Sequence, residues 1–322
     1  MGRIHVLHEN SPWVEPLRAA FEEQGLPYEE WFLDQGAVPF DQAPPEGVFY
    51  NRMSASSHTR GHRFGPELTH ATLTWLESHG RRVVNNHQAL YLETSKLAQY
   101  AGLKRAGIKT PRTFAAVGRD EVLETAKDFA TLPFILKPNR GGKGLGVRLF
   151  HSVEAAAAYL DDLPEEEAPI DGTWLVQEYI RAPKPFITRC EFIGGRFHYA
   201  VRVDTSEGFE LCPADVCNVE NAFCPTDEPA RNLFTIQRDF ADPILDRYAL
   251  FLRQNGVEIA GIEFIRDADG EIYTYDVNTN TNYNALAEEA AGVPVTGMAA
   301  VARFLGEELT KARAKAKAVV AA

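Results

Sequence analysis

An α/β or α+β protein of several lobes is what three features of this 322-residue chain predict. Short β-like apolar runs alternate with segments of helical periodicity, and no repeat of fixed period interrupts them, which argues against a solenoid. Hydrophobic residues make up 45% and charged residues 24%, the balance of an ordinary globular protein with a sizeable core. The length allows roughly two domains, or one domain built from several lobes.

Residues 4–7 read as the first strand, followed by a helix over 12–24 opened by Ser11, with Pro12 at its first position, where a missing N–H costs nothing. Strand 48–50, helix 66–79 stopped by Gly80, and strand 83–84 complete a first lobe. A helix over 94–106 stops at Gly107, and the proline-marked segment after it starts a new lobe. Helix 119–130, strand 134–136, a glycine loop, strand 147–150, helix 152–160 and strand 174–179 follow, with the acidic run 161–167 as a solvated loop. Runs 189–194 and 196–203 around Gly194 and Gly195 predict a hairpin. The stretch 204–238 lacks periodicity and reads as a substrate-facing or mobile loop. Helix 239–255, a second hairpin of 259–265 and 271–277 across Asp269 and Gly270, and a helix over 295–309 come last, before a fraying Lys- and Ala-rich tail. The expected division is a lobe over 1–90, a central lobe over 91–185, a C-terminal lobe over 186–310 and a tail over 311–322.

A net charge of −12 argues against broad binding to nucleic acid or to anionic membrane and favours a small-molecule or peptide partner. The N-terminal segment lacks the apolar core and cleavage site of a signal peptide, and no apolar run approaches a membrane span, so a cytoplasmic location is expected. Cys190, Cys212, Cys217 and Cys224 lack both a Cys-x-x-Cys knuckle and a neighbouring histidine pair, so free thiols are expected rather than metal ligands.

The segment from Pro133 to Val147 sets Lys137 at the end of an apolar strand against a loop containing Gly141, Gly142, Gly144 and Gly146. Glycines there let backbone N–H groups approach phosphate oxygens, and the lysine adds a point charge, which is how a chain grips a polyphosphate. In the second hairpin, Asp276 and Asn278 are two residues apart on one strand and share a face. Glu263 on the partner strand can converge with them, giving two carboxylates and an amide, hard oxygen donors that suit Mg²⁺ shared with substrate phosphates. Glu178 sits in an apolar strand, where an unpaired carboxylate is costly, and reads either as a ligand contact or as a strand-edge glutamate facing water. Arg52, in the polar segment after strand 48–50, is a candidate contact for a substrate carboxylate. His58 and His62 in the same segment read equally as surface histidines.

From Val83 to Ala285 these motifs, in this order, resemble the ATP-grasp superfamily, and within it the RimK-type ligases that add glutamate to a ribosomal protein. The resemblance rests on the segment from Thr94 to Lys96, on Phe134 to Pro138 with its glycine loop, on Leu175 to Ile180, on Ala260 to Glu263 and on Tyr275 to Asn278. It implies the ATP-grasp fold behind an N-terminal α/β (pre-ATP-grasp) lobe, with ATP and Mg²⁺ or Mn²⁺ as cofactors. Lys96 and Lys137 would hold the α- and β-phosphates, with Lys143 and the amides of Gly141, Gly142 and Gly144 covering the triphosphate. Gln177, Glu178, Tyr179 and Ile180 would receive adenine, and Glu263, Asp276 and Asn278 would bind the metal. Arg189 and Arg202, on the two arms of the first hairpin, would hold the γ-phosphate and an acylphosphate.

The substrate half departs from the family. Ile187 stands where an aspartate is usual, the segment after Arg202 lacks an Arg-Ser-Asn, and Thr279 to Asn284 replaces a Ser-Pro-Gly. In that replacement Asn280, Asn282 and Asn284 are read either as substrate contacts or as residues that shape a turn. The activity implied is an ATP-dependent carboxylate–amine ligase acting on an amino acid or peptide, with a small-molecule kinase and a non-catalytic nucleotide-binding regulator as the alternatives.

Overall fold

A computed structural model of the chain describes residues 2–129, 132–142, 144–206 and 233–320. Its first sheet is parallel, in the order β2-β1-β3-β4, from β1 (Arg3–His8), β2 (Tyr28–Phe32), β3 (Gly47–Asn51) and β4 (Arg82–Val84). A parallel sheet covered on both faces must be apolar on both, and β1 and β3 are. Ile4 and Val6 share a cluster with Leu17 and Phe21 of α1 (Ser11–Glu23), whereas Leu7 and Phe49 join Leu73 and Leu76 of α2 (Gly65–Ser78).

After α3 (His87–Thr94) and α4 (Lys96–Arg105) comes an antiparallel sheet ordered β5-β8-β6-β7. Its strands are β5 (Thr113–Val117), β6 (Phe134–Pro138), β7 (Arg148–Phe150) and β8 (Thr173–Glu178). Alternation sends Phe134, Leu136 and Val176 to the face covered by α5 (Arg119–Asp128) and α6 (Val153–Asp162), and Ile135, Lys137 and Gln177 to the other.

The third sheet is also antiparallel, ordered β11-β10-β9-β12-β13. It comprises β9 (Phe186–Ile193), β10 (Arg196–Asp204), β11 (Phe234–Gln237), β12 (Ile259–Arg266) and β13 (Ile272–Asn278). Cys190, Phe192, Ile262 and Phe264 pack with Leu103 of α4 and with Tyr248 and Phe251 of α7 (Ile244–Gln254). That leaves Arg189 and Glu263, directly paired across the ladder, on the opposite face. A short α8 (Ala285–Ala290) precedes α9 (Gly297–Val320), whose Val301 and Leu305 return to the α1 side of the first sheet.

Several elements differ from expectation. The first helix is capped by Asn10, whose side chain accepts from the Trp13 N–H at 3.3 Å, so Ser11 is already helical. The helix expected over 94–106 is α4, which starts after the extended Ser95 that caps it; α3, just before it, was not anticipated. Strand β2 was not anticipated because Tyr28, Glu29, Glu30 and Trp31 lack an apolar run; its backbone pairing with β1 forms it. Part of the stretch expected as a loop is a strand, β11, paired with β10, while 207–232 lies outside the described residues. The expected tail is the continuation of α9, anchored where the Arg313 guanidinium donates to the Gly2 carbonyl at 2.6 Å. Among the described residues no helix is long and apolar enough to cross a membrane.

Candidate active site

A cleft of about 580 Å³ opens between the second and third sheets. Ile135, Lys137 and Gln177 line one wall; Gly141, Gly142 and Gly144 overhang it; Glu178, Tyr179 and Ile180 form one end. Arg189, Glu263, Asp276 and Asn278 line the opposite wall, and Lys96 stands between, at the first turn of α4. The two groups of residues separated most widely in the chain thus face the same cavity.

Lys96 owes its position to Asn139, which follows β6 directly. The Asn139 carbonyl accepts from the Lys96 N–H at 3.2 Å, and its side-chain oxygen accepts from the Leu97 N–H at 3.0 Å. The Lys96 ammonium donates to Asp276 Oδ1 at 2.5 Å. Burial alone would lower its pKa, but Asp276 raises it; in return, burial would raise Asp276, and Lys96 holds it down. Among the described residues Lys137 pairs with no carboxylate: its Nζ donates to the Tyr100 hydroxyl at 2.8 Å. Burial first, and then the nearby Lys96, lowers Lys137 to about 7, so a polyphosphate is the kind of ligand that would restore its charge.

Glu263 lies directly opposite Asp276 in the ladder because Tyr275 is bulged out of β13, and the Tyr275 hydroxyl donates to Glu263 Oε2 at 3.0 Å. The Asn278 amide nitrogen lies 3.4 Å from Glu263 Oε1 and 3.3 Å from Asp276 Oδ2. A half-turn of that amide presents its Oδ1 beside both carboxylates, an all-oxygen donor set that fits Mg²⁺ or Mn²⁺ when a phosphate supplies further ligands. Among the described residues no group of three His, Cys, Asp or Glu side chains could hold a metal ion.

Arg189 is buried at 6% exposure and spreads its donors over Glu191, Glu263 and Thr281. Its guanidinium lies flat over Gly261, where an added Cβ would come within 2.5 Å of Nε.

Other expected residues stand elsewhere. Arg202 is exposed, stacked 3.9 Å from the Phe186 ring centroid, and does not line the cleft. A two-residue turn at Gly194 and Gly195 would pair Arg202 with Ile187, on the face of Arg189. A bulge between Phe197 and Tyr199 shifts the register by one, pairs Arg202 with Thr188 and turns it to the other face. Arg52, Asn280 and Asn282 meet one another and do not line the cleft. Arg52 donates to Asn280 Oδ1 at 3.1 Å, to the Thr281 carbonyl at 3.1 Å and to Asn282 Oδ1 at 2.8 Å, so it clamps the loop after β13. Asn284 caps α8. Gln177 lines the cleft, but its amide donates to Tyr100 and Thr113, and the Glu178 carboxylate, expected to be unpaired, accepts from the Arg112 N–H at 3.1 Å. Lys143 lies outside the described residues, as do Cys212, Cys217 and Cys224; Cys190 is a buried free thiol.

Residues missed in the sequence hold the site together. Asn85, at φ 56°, donates to the carbonyls of Ile259 and Thr279 and accepts from the N–H groups of Glu258 and Ile259. Glu93 accepts from the N–H groups of Ala55 and Thr279. Both join the first sheet's lobe to the loop after the candidate metal ligands.

No family model matches the chain. The chain is 30% identical over 149 residues to a "Probable alpha-L-glutamate ligase" of Teredinibacter turnerae, a match covering 45% of this chain and 48% of that protein. It thus spans about half the length of the curated relatives it matches. Among solved structures, a RimK domain protein ATP-grasp from Sphaerobacter thermophilus superposes with a TM-score of 0.64 at 17% identity, covering 94% of this chain and 99% of the other. The ATP-grasp ligase PsnB, complexed with minimal precursor, Mg and ADP, gives 0.61 at 16%, covering 94% and 96%. Superposable over nearly its whole length on these structures, the chain has the ATP-grasp fold.

Proposed function

We propose that the chain is an ATP-dependent carboxylate–amine ligase that forms an amide or peptide bond through an acylphosphate and releases ADP and phosphate. The observation that carries this reading is the single cleft in which Lys96, Lys137 and the glycine loop face Glu263, Asp276, Asn278 and Arg189. In it, Lys96 and Lys137 hold the α- and β-phosphates, the amides of Gly141, Gly142 and Gly144 cover the triphosphate, and Glu178, Tyr179 and Ile180 receive the base. Glu263, Asp276 and Asn278 hold Mg²⁺, which supplies charge neutralisation at the transferring phosphoryl group. A substrate carboxylate attacks the γ-phosphate in line, and Arg189 stabilises the charge on the oxyanions that result. The amine then displaces phosphate from the acylphosphate.

The names of similar proteins support an amino acid or peptide as substrate, with glutamate the first candidate. The test is turnover with ATP, Mg²⁺ and a panel of amino acids, one set labelled with ¹⁸O in the carboxylate. A ligase transfers one labelled oxygen from the carboxylate to the released phosphate and yields the coupled product by mass spectrometry. A kinase would release ADP without any amine, and a binding-only protein would release none; either result rejects the proposal.

A further inference from the structure

We infer that Glu191 and Thr281 are positioning residues that keep the Arg189 guanidinium compensated and in place when Glu263 turns to a divalent cation. The inference rests on the ligase reading for the identity of the cation site. Arg189 Nε donates to Glu191 Oε1 at 2.5 Å, and Nη2 to Thr281 Oγ1 at 2.5 Å. The Thr281 hydroxyl in turn donates to Glu191 Oε2 at 2.8 Å, closing a ring of three side chains in which the hydroxyl is satisfied as both donor and acceptor. Glu191 and Thr281 are each 1% exposed and neither lines the main cleft. Only the third bond, Nη1 to Glu263 Oε1 at 3.0 Å, lies at the cleft wall.

The two carboxylates therefore have different duties. A cation bound by Glu263 takes over from Arg189 as the positive partner of Oε1. Were Glu263 the only counter-ion, that exchange would leave a buried guanidinium uncompensated, which is among the costliest changes a protein interior undergoes. Glu191 stays behind as the permanent counter-ion, and Thr281 fixes the plane of the fork, so that Nη1 is the donor released toward the substrate oxyanion. Period-two alternation places Glu191 on the face of Arg189, and Gly261, paired with Glu191 across the ladder, leaves the space in which the guanidinium lies.

The test is Mn²⁺ binding to the full chain in the presence of ADP, followed by the electron paramagnetic resonance signal of free Mn²⁺, for wild type, Glu191→Gln, Thr281→Val and Thr281→Ser. In Glu191→Gln, Arg189 depends on Glu263 alone, so the Mn²⁺ dissociation constant should rise about tenfold or more. Thr281→Val should weaken binding about threefold, and Thr281→Ser, which keeps the hydroxyl, should bind like wild type. Under turnover, Glu191→Gln should lower kcat and leave KM for ATP nearly unchanged. Equal Mn²⁺ affinity in wild type, Glu191→Gln and Thr281→Val overturns this inference and leaves the ligase reading intact. A wild type that binds no Mn²⁺ with ADP overturns both.

Discussion

Lys137 is 4% exposed and, among the described residues, donates to the Tyr100 hydroxyl and to no carboxylate, a position that an anionic ligand would complete. With its pKa lowered to about 7, chiefly by burial, the side chain is mostly neutral at pH 8. A bound triphosphate favours the ammonium and raises that value, so nucleotide binding at pH 8 should take up about one proton and should tighten as pH falls toward 7. Calorimetry in two buffers of different ionisation enthalpy reads the uptake; Lys137→Met should abolish it, and a wild type without uptake contradicts the role given to Lys137. At Gly261 the constraint is space alone. Gly261→Ala sets a methyl against the Arg189 guanidinium, which three hydrogen bonds hold there, and should lower turnover at least tenfold while nucleotide affinity stays within about twofold. Much of this scale was legible in the sequence: Lys137, Glu263, Asp276 and Asn278 declare themselves by charge or amide in apolar strands, whereas Lys96, at the start of a helix, came from the family resemblance alone. Glu191 carried the same signal, a carboxylate two residues from Arg189 among apolar neighbours. Partnership with Thr281, 90 residues away in the chain, has no local signature.

Element by element, alternation predicted which face each strand offers until a bulge intervened. The bulge in β10 removes Arg202 from the site, and the bulge of Tyr275 in β13 aligns Glu263 with Asp276. Bulges are set by packing and ladder geometry, which one strand's residues do not encode. Helix starts were placed one to two residues off where a capping side chain went unread: Asn10, not Ser11, caps the first helix, and Ser95 caps α4 inside the range expected as helix. The connection from β4 to α3 depends on Asn85, whose side chain takes the place of missing backbone partners for β12 and for the loop after β13. Asn85→Gly keeps the backbone accessible at positive φ but abandons four buried groups, each worth roughly 1–3 kcal/mol if left unpaired. Melting should show a loss of at least about 3 kcal/mol; a variant as stable as the parent would show that those groups find other partners.

Taken whole, the molecule buries His5 and His8 in its first sheet and half-buries His198 in its third, which gives its stability a pH dependence on the acid side. His5, stacked on Phe49 with ring centroids 4.5 Å apart, His8 and His198 all have pKa values lowered from 6.5, burial being the largest cause for each. Below 6.5 the unfolded chain binds protons that the folded chain refuses, so stability is full above that pH and is lost as pH falls through the lowered values. On the acid side of the slope that the lowered Lys137 gives above pH 7, the melting temperature should keep dropping steadily below about 6.5; a melting temperature that stays unchanged from pH 6.5 down to pH 5 would mean that these rings titrate normally. The acidic excess, by contrast, says little about the cleft, where cations from one wall meet carboxylates from the other. The account as a whole rests on that meeting. A crystal structure with a non-hydrolysable ATP analogue and Mg²⁺ tests it most directly: the triphosphate should lie against Lys96 and Lys137 with the metal on Glu263, Asp276 and Asn278. Nucleotide density outside this cleft, or a metal bound without those three residues, would contradict it.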